Sequence, residues 1–214
     1  HSLPEDVKHV NITMGFPLSQ TPVYSFVLVL LELQINGFNP KNGRSLFEQV
    51  IAVLKHPYTR QQTTEAEALE KSLTQDNRFY PLPGELKKDE FLSHLFTPVS
   101  GILPLTDYLL EALQQVAVIY RKDKEKEQDE ALNQLYRESL FKAYTTFGRI
   151  RTLMEEGIMN IQPHTFRKLV VRILSTLNIP FHGEPAIGLQ VMGVLETRNL
   201  DFRHLILLST DEGQ

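Results

Sequence analysis

The chain has 214 residues, 42% hydrophobic and 22% charged, with a formal net charge of −4, a balance that permits one large buried core or two small ones. It contains no cysteine, which excludes a disulfide framework, a thiolate-ligated zinc or iron–sulfur site and a thiol nucleophile, and fits a reducing cytoplasmic setting. The net acidity excludes a global basic field for nucleic acid, though not a local basic strip.

In chain order, Val7 to Met14 alternates apolar and polar residues with period two, which predicts a half-buried strand closed by Gly15. Thr21-Pro22 predicts a helix start, with threonine as N-cap and proline in the first turn, running from Val23 to Gln34. Its apolar run, Val23 to Leu33, is interrupted by Ser25 and Glu32, and no run reaches the roughly 18 residues of a membrane span. After a turn-rich loop from Asn36 to Gly43, a second helix starts near Ser45, with Leu46, Phe47, Val50, Ile51 and Leu54 at helical spacing. His56-Pro57 stops it, because the residue before proline avoids the helical region. A short helix is expected over Thr64 to Leu73, a loop at Pro81 to Gly84, another helix from Lys87 to Phe96 and a loop from Pro98 to Pro104.

From Thr106, as N-cap, to Gly157, as C-cap, the pattern is helical throughout. Such a length exceeds an ordinary helix, so a break is expected in the charged tract from Arg121 to Glu130. That tract mixes both signs, with Arg121–Glu125 and Lys126–Glu130 at i,i+4, and reads as a solvated helix end. Pro163 to Leu177 forms one more helix, with a stripe of Phe166, Leu169, Val170, Ile173 and Leu174. Strands are expected again at Ile187 to Leu195 and Leu205 to Ser209.

The chain begins at His1 without the build of a signal peptide and stops at Gln214 just after a strand-like run, so both ends read as cut from a longer protein. Strands at the two ends with helices between suggest an α/β unit interrupted by a helical insertion, since buried strands need partners.

Several chemistries have no signature in the sequence. There is no phosphate-binding loop of the G-x-x-x-x-G-K-[ST] type, no H-E-x-x-H, no G-x-S-x-G, and no two histidines three or four residues apart. His164 near a helix start reads as a capping or solvated residue. Asp107 and Glu111 are i,i+4 carboxylates that a metal nuclease would use, but Asp107 reads more simply as a first-turn acid on a helix dipole. No catalytic residue and no metal ligand set is visible.

One stretch carries a family likeness. The run from Val191 to Gly213 resembles the motif V region of UvrD-like superfamily 1 helicases, in which a strand leads into a Ser/Thr-Lys-Gly-Leu-Glu-Phe segment, a second apolar strand and Glu-Gly. The counterpart is Thr197-Arg198-Asn199-Leu200-Asp201-Phe202, then His204 to Ser209, then Glu212-Gly213, with no gap. Leu195 stands where those helicases usually have histidine, and Arg198-Asn199 where they have Lys-Gly; asparagine tolerates the left-handed turn that glycine provides. The Glu-Thr-Arg-x-Leu-Asp-Phe pattern looks closer to AddB/RexB-type proteins, the helicase-like subunits of bacterial helicase–nuclease complexes that process double-strand DNA breaks. Ile12 to Pro22 is similar to the entry of the second RecA-like domain in those chains, and the helices down to Leu54-Lys55-His56-Pro57-Tyr58 resemble the segment that follows.

The resemblance implies a mostly α fold in which a split RecA-like α/β domain with a small parallel sheet, residues 1–44 and 182–214, is interrupted by a helical subdomain, 45–181. It implies that Arg198 meets DNA phosphate, for which a guanidinium fork is suited, with Thr197 donating to the same backbone and Asp201 placed at a nucleotide ribose. Glu196 would orient Arg198 and Asn199 would make the turn. The alternative is that Arg198 simply pairs with Asp201 or Glu196 at a strand–loop junction. No cofactor is expected within these residues, while ATP and magnesium belong to the parent protein; its expected partners are single-stranded or unwinding duplex DNA and an AddA-like motor subunit, with no membrane. The parent would be an exonuclease- or helicase-like subunit. Two other readings stay open: part of an active superfamily 1 helicase, and a helical protein-interaction module with no nucleic-acid role.

Overall fold

The computed structural model describes residues 10–12, 15–39, 43–76, 79–122, 130–179, 189–191 and 206. The chain divides into two compact units, one made of His1–Gly15 with Pro180–Gln214 and the other of Phe16–Ile179.

In the first unit, β1 (Val10–Ile12) runs parallel to β4 (Leu189–Val191), with Val10 opposite Leu189 and Ile12 opposite Val191. β1 falls inside Val7 to Met14, the stretch whose alternation predicts a strand, and β4 inside the strand expected at Ile187 to Leu195, so a segment near the start of the chain pairs with one near its end, as expected. A parallel pair cannot be closed by a hairpin and needs a long crossover; here residues 13–188 supply it. The strand expected at Leu205 to Ser209 lies outside the described residues except Ile206, which is exposed.

The second unit is helical. It opens with β2 (Phe16–Pro17) and closes with β3 (Asn178–Ile179), which pair antiparallel, and the Leu18 amide extends the ladder by donating to the Leu177 carbonyl at 2.8 Å. The chain therefore enters and leaves this unit side by side. A single 3₁₀ turn, Leu18–Gln20, leads into α1 (Pro22–Asn36). Thr21 stands at the expected N-cap position, but its hydroxyl donates backward to the Leu18 carbonyl at 2.6 Å and caps no helix amide. Residues of α1 are apolar nearly all round, the mark of a helix surrounded by protein; Val23, Phe26, Val27, Leu30, Leu31 and Leu33 are fully buried. Packing against α2 (Phe47–Lys55), α3 (Pro57–Gln62), α8 (Glu130–Glu155) and α9 (Pro163–Thr176) makes α1 the spine of the core. The compact unit accordingly includes α1, whereas the resemblance groups residues 1–44 with the strands.

Three local expectations need correction. His56-Pro57 ends one helix but at once begins another, because proline fits a first turn and the His56 Nδ1 accepts from the Tyr58 amide at 3.2 Å as an N-cap. Pro83–Leu86, expected as loop, is the short helix α5; it precedes α6 (Glu90–Leu95) and follows α4 (Glu65–Gln75). Thr106 caps nothing: α7 (Ile102–Lys122) starts a full turn earlier, after Gly101 at φ 94°, with Pro104 in its first turn. Thr106 is buried inside that helix, its hydroxyl donating to the Ile102 carbonyl at 2.9 Å.

Helices α7 and α8 stand on either side of the charged tract, of which residues 123–129 lie outside the described residues. They pack antiparallel, since Asp107 at the start of α7 meets Arg151 at the end of α8. Phe147 and Ala143 of α8, with Leu109, Ala112 and Val116 of α7, are fully buried; a side chain such as Phe147 contributes about 2–3 kcal/mol by leaving water. Gly157, at φ 72°, ends α8 as the expected C-cap. In α9, Phe166, Val170 and Leu174 of the predicted stripe are buried, while Leu169 and Ile173 are half-buried. No helix among the described residues is long and apolar enough to cross a membrane.

Candidate functional site

The residues singled out for DNA and nucleotide contact, Glu196, Thr197, Arg198, Asn199 and Asp201, lie outside the described residues. Strand β4, the lead into them, is described to Val191.

Within the helical unit, a cavity of about 510 Å³ opens at the start of α1. Its wall is Phe16, Ser19 to Pro22 and Ser25 on one side, Pro57 below, and Leu132, Leu135 and Tyr136 from the first turns of α8. None of these side chains is a carboxylate, amine or guanidinium, so the lining offers apolar contact and hydroxyls but no charged acid–base group.

Ser25 and His56 meet at this cavity's edge, with Oγ and Nε2 3.0 Å apart. That separation is what a nucleophile and its general base need, yet the proton inventory opposes it. The Tyr58 amide donates to Nδ1, so Nδ1 is unprotonated and the neutral ring carries its proton on Nε2. Nε2 then donates to Ser25 Oγ, and the serine hydroxyl donates to the Pro22 carbonyl at 3.0 Å. A ring already donating to the serine cannot accept its proton. Burial among Phe26, at 4.9 Å between ring centres, and Tyr58, at 5.4 Å, lowers the His56 pKa to about 4, against a small upward pull from the Pro22 carbonyl. The pair therefore ties α3's cap to α1 as a neutral link. Sequence reading missed it because 31 residues separate the partners; the one available signal was a side-chain acceptor just before a helix-starting proline.

The i,i+4 carboxylates Asp107 and Glu111 are engaged separately. Asp107 Oδ1 accepts from Arg151 Nε at 2.6 Å, and Arg151 also reaches Glu155 at 2.7 Å. Both acids hold the Arg151 guanidinium pKa above its ordinary value, the Asp107 hydrogen bond most strongly. Glu111 lies 3.4 Å from His94 Nδ1, and the His94 ring stacks on Tyr108 at 4.9 Å while its Nε2 sits 3.0 Å from the Tyr108 carbonyl. The Tyr108 hydroxyl donates to the Leu95 carbonyl at 2.9 Å. These contacts fasten α6 and α8 onto α7. Among the described residues, no three His, Asp or Glu side chains are grouped to hold a metal ion. His164 is exposed at the start of α9.

A second ion cluster joins α2, α3 and α4. Arg60 pairs with Glu70 and reaches Glu67 at 3.7 Å, Lys71 pairs with Glu67 at 2.7 Å, and Arg60 Nε also donates to the Leu54 carbonyl at 2.9 Å. Hydrogen bonding from Lys71, with the charges of Lys71 and Arg60, lowers the Glu67 pKa. Every charge in the cluster has an opposite partner, so it fixes helices and leaves no unmet valence for a ligand. No protein-family profile, curated protein or solved structure matches this chain.

Proposed function

We propose that the chain is a DNA-binding and scaffolding segment of an AddB-like subunit of an ATP-dependent helicase–nuclease, acting in the cytoplasm in double-strand break repair and recombination. The observation that supports this reading is the parallel pairing of Val10–Ile12 with Leu189–Val191, because each strand leads, at Ile12 and at Val191, into one of the two stretches that carry the likeness. In this reading they are neighbours in the parallel sheet of a split RecA-like domain. The helical insertion of this reading lies within Phe16–Ile179, the unit that β2 opens and β3 closes.

Beyond β4, Arg198 holds a DNA phosphate with Thr197 beside it, Glu196 orients the guanidinium, Asn199 makes the turn and Asp201 faces a nucleotide ribose. The segment has no activity of its own; ATP, magnesium, nuclease chemistry and an AddA-like partner belong to the parent protein. Binding of single-stranded DNA, followed by fluorescence anisotropy over a salt series, tests the reading. Arg198→Ala should weaken binding and flatten the slope of log affinity against log salt by about 0.7, one phosphate contact on a single strand. An affinity and a slope both equal to those of the unsubstituted chain would remove Arg198 from the interface.

A second reading, a helical protein-interaction module, draws on the dominance of helix in Phe16–Ile179. A chain that binds no DNA at any salt but captures a helicase-like motor subunit would favour it.

A further inference from the structure

We infer that the outer face of α8 is a platform for single-stranded nucleic acid, with Phe141 and Tyr144 as stacking surfaces and Arg137, Lys142 and Arg149 as phosphate contacts. This inference rests on the helical unit alone and is independent of the turn at 196–201.

The inner face of α8 is fully engaged with α7 and α1 through Leu140, Ala143, Phe147 and Ile150. On the opposite side, Phe141 is 69% exposed and Tyr144 41% exposed. Steps of four, three and four residues from Arg137 through Phe141 and Tyr144 to Gly148 put all four on one stripe. A side chain at Gly148 would meet nothing within 4 Å, so the ground beside the two rings is open. Lys142 and Arg149 lie on a common side of the stripe, each about 100° round the helix from Phe141 and Gly148 respectively, and two helical turns, about 10 Å, apart in height. From Arg137 to Arg149 the helix rises about 18 Å, which spans several extended nucleotides.

Charge chooses the occupant. The protein is acidic overall, yet between Tyr136 and Arg151 Glu138 is the sole acid against four cations. Of those four, Arg151 is taken by Asp107 and Glu155; none of the ion pairs among the described residues uses Arg137, Lys142 or Arg149. Exposed rings bordered by uncommitted cations of one sign suit bases that stack and phosphates that follow, without sequence preference. A second copy of this chain fits the face poorly. Antiparallel two-fold pairing of the helices about Phe141 and Tyr144 would set Arg137 opposite Gly148 of the other copy and so beside its Arg149, a like-charge approach, and two rings fall far short of the roughly 800 Å² per partner of a stable interface.

The test uses the 214-residue chain with fluorescent 15-nucleotide oligo(dT) and oligo(rU), read by anisotropy, with circular dichroism to confirm each variant's helix content. Phe141→Ala and Tyr144→Ala should each weaken binding between about fivefold and a hundredfold, as expected for loss of one stacked base, and Phe141→Trp should restore it. Arg137→Gln should reduce the salt slope by about 0.7. The oligo(dT) and oligo(rU) arms decide between DNA and RNA as the ligand. Folded alanine variants that bind as the parent does would overturn the platform, as would a Phe141→Trp variant as weak as alanine. So would a self-association that Phe141→Ala disperses without changing nucleotide binding. Loss from Arg198→Ala with none from ring removal would also sink the platform while leaving the turn; the reverse pattern would sink the turn and uphold the platform.

Discussion

His56 should make the helical unit lose stability between pH 7 and pH 5 by a calculable amount. Its ring is buried, at 6% exposure, and its pKa is lowered to about 4 by desolvation, from 6.5. The folded state thus resists the proton that the unfolded chain accepts, so stability is full above the unfolded pKa and falls as acid is added through the interval between the two values. At pH 5 the unfolded chain is protonated at this position almost entirely and the folded chain about one-tenth; the ratio of binding polynomials gives a loss of about 2 kcal/mol relative to pH 7, tending to about 3 kcal/mol near pH 4. His56→Asn keeps an acceptor for the Tyr58 amide, and therefore the cap on α3, but removes the titration. Urea unfolding of both proteins, followed by helical circular dichroism at pH 7 and pH 5, isolates the effect, because carboxylates contribute equally to each. Parallel losses in the two proteins over that interval would refute the assignment of a neutral, Nε2-protonated ring bridging Ser25 and Tyr58.

Two further changes probe the core. Phe147 is fully buried on α8, so Phe147→Ala should cost about 3–5 kcal/mol, seen as a lower urea midpoint with an unchanged m-value; a cost below 1 kcal/mol would mean that α8 is not packed through this ring. Burial raises the Tyr108 phenol pKa well above its ordinary range. Tyr108→Phe should therefore cost about 1 kcal/mol for the lost bond to Leu95 and leave the phenolate absorbance of the folded chain unchanged on alkaline titration, since Tyr108 contributes none until unfolding.

Legibility in the sequence followed the range of the interaction concerned. The helices α1, α2, α4, α6 and α9 were readable because their stripes and proline starts act within a few residues. Tertiary context defeated local rules at Thr106, where a threonine suited to capping sits buried one turn inside α7, its hydroxyl served by the Ile102 carbonyl. It did so again at His56-Pro57, a helix-stop signal that is equally a helix start. The exposed rings of α8 carry no local signal either: which face of the long helical run meets water is set by the packing of α7.

By itself the sequence determined the helix-rich middle, the β-strand character of Val10–Ile12 and Leu189–Val191 and the want of any thiol or phosphate-loop chemistry, all of which depend on residue type and short spacing. Only the tertiary structure decided that Val10–Ile12 lies beside Leu189–Val191, which protons Ser25 and His56 share, and which side of α8 meets water. Those outcomes are set by contacts between residues far apart in the chain, where the free energy of one pairing over another comes from the whole core and leaves no local mark.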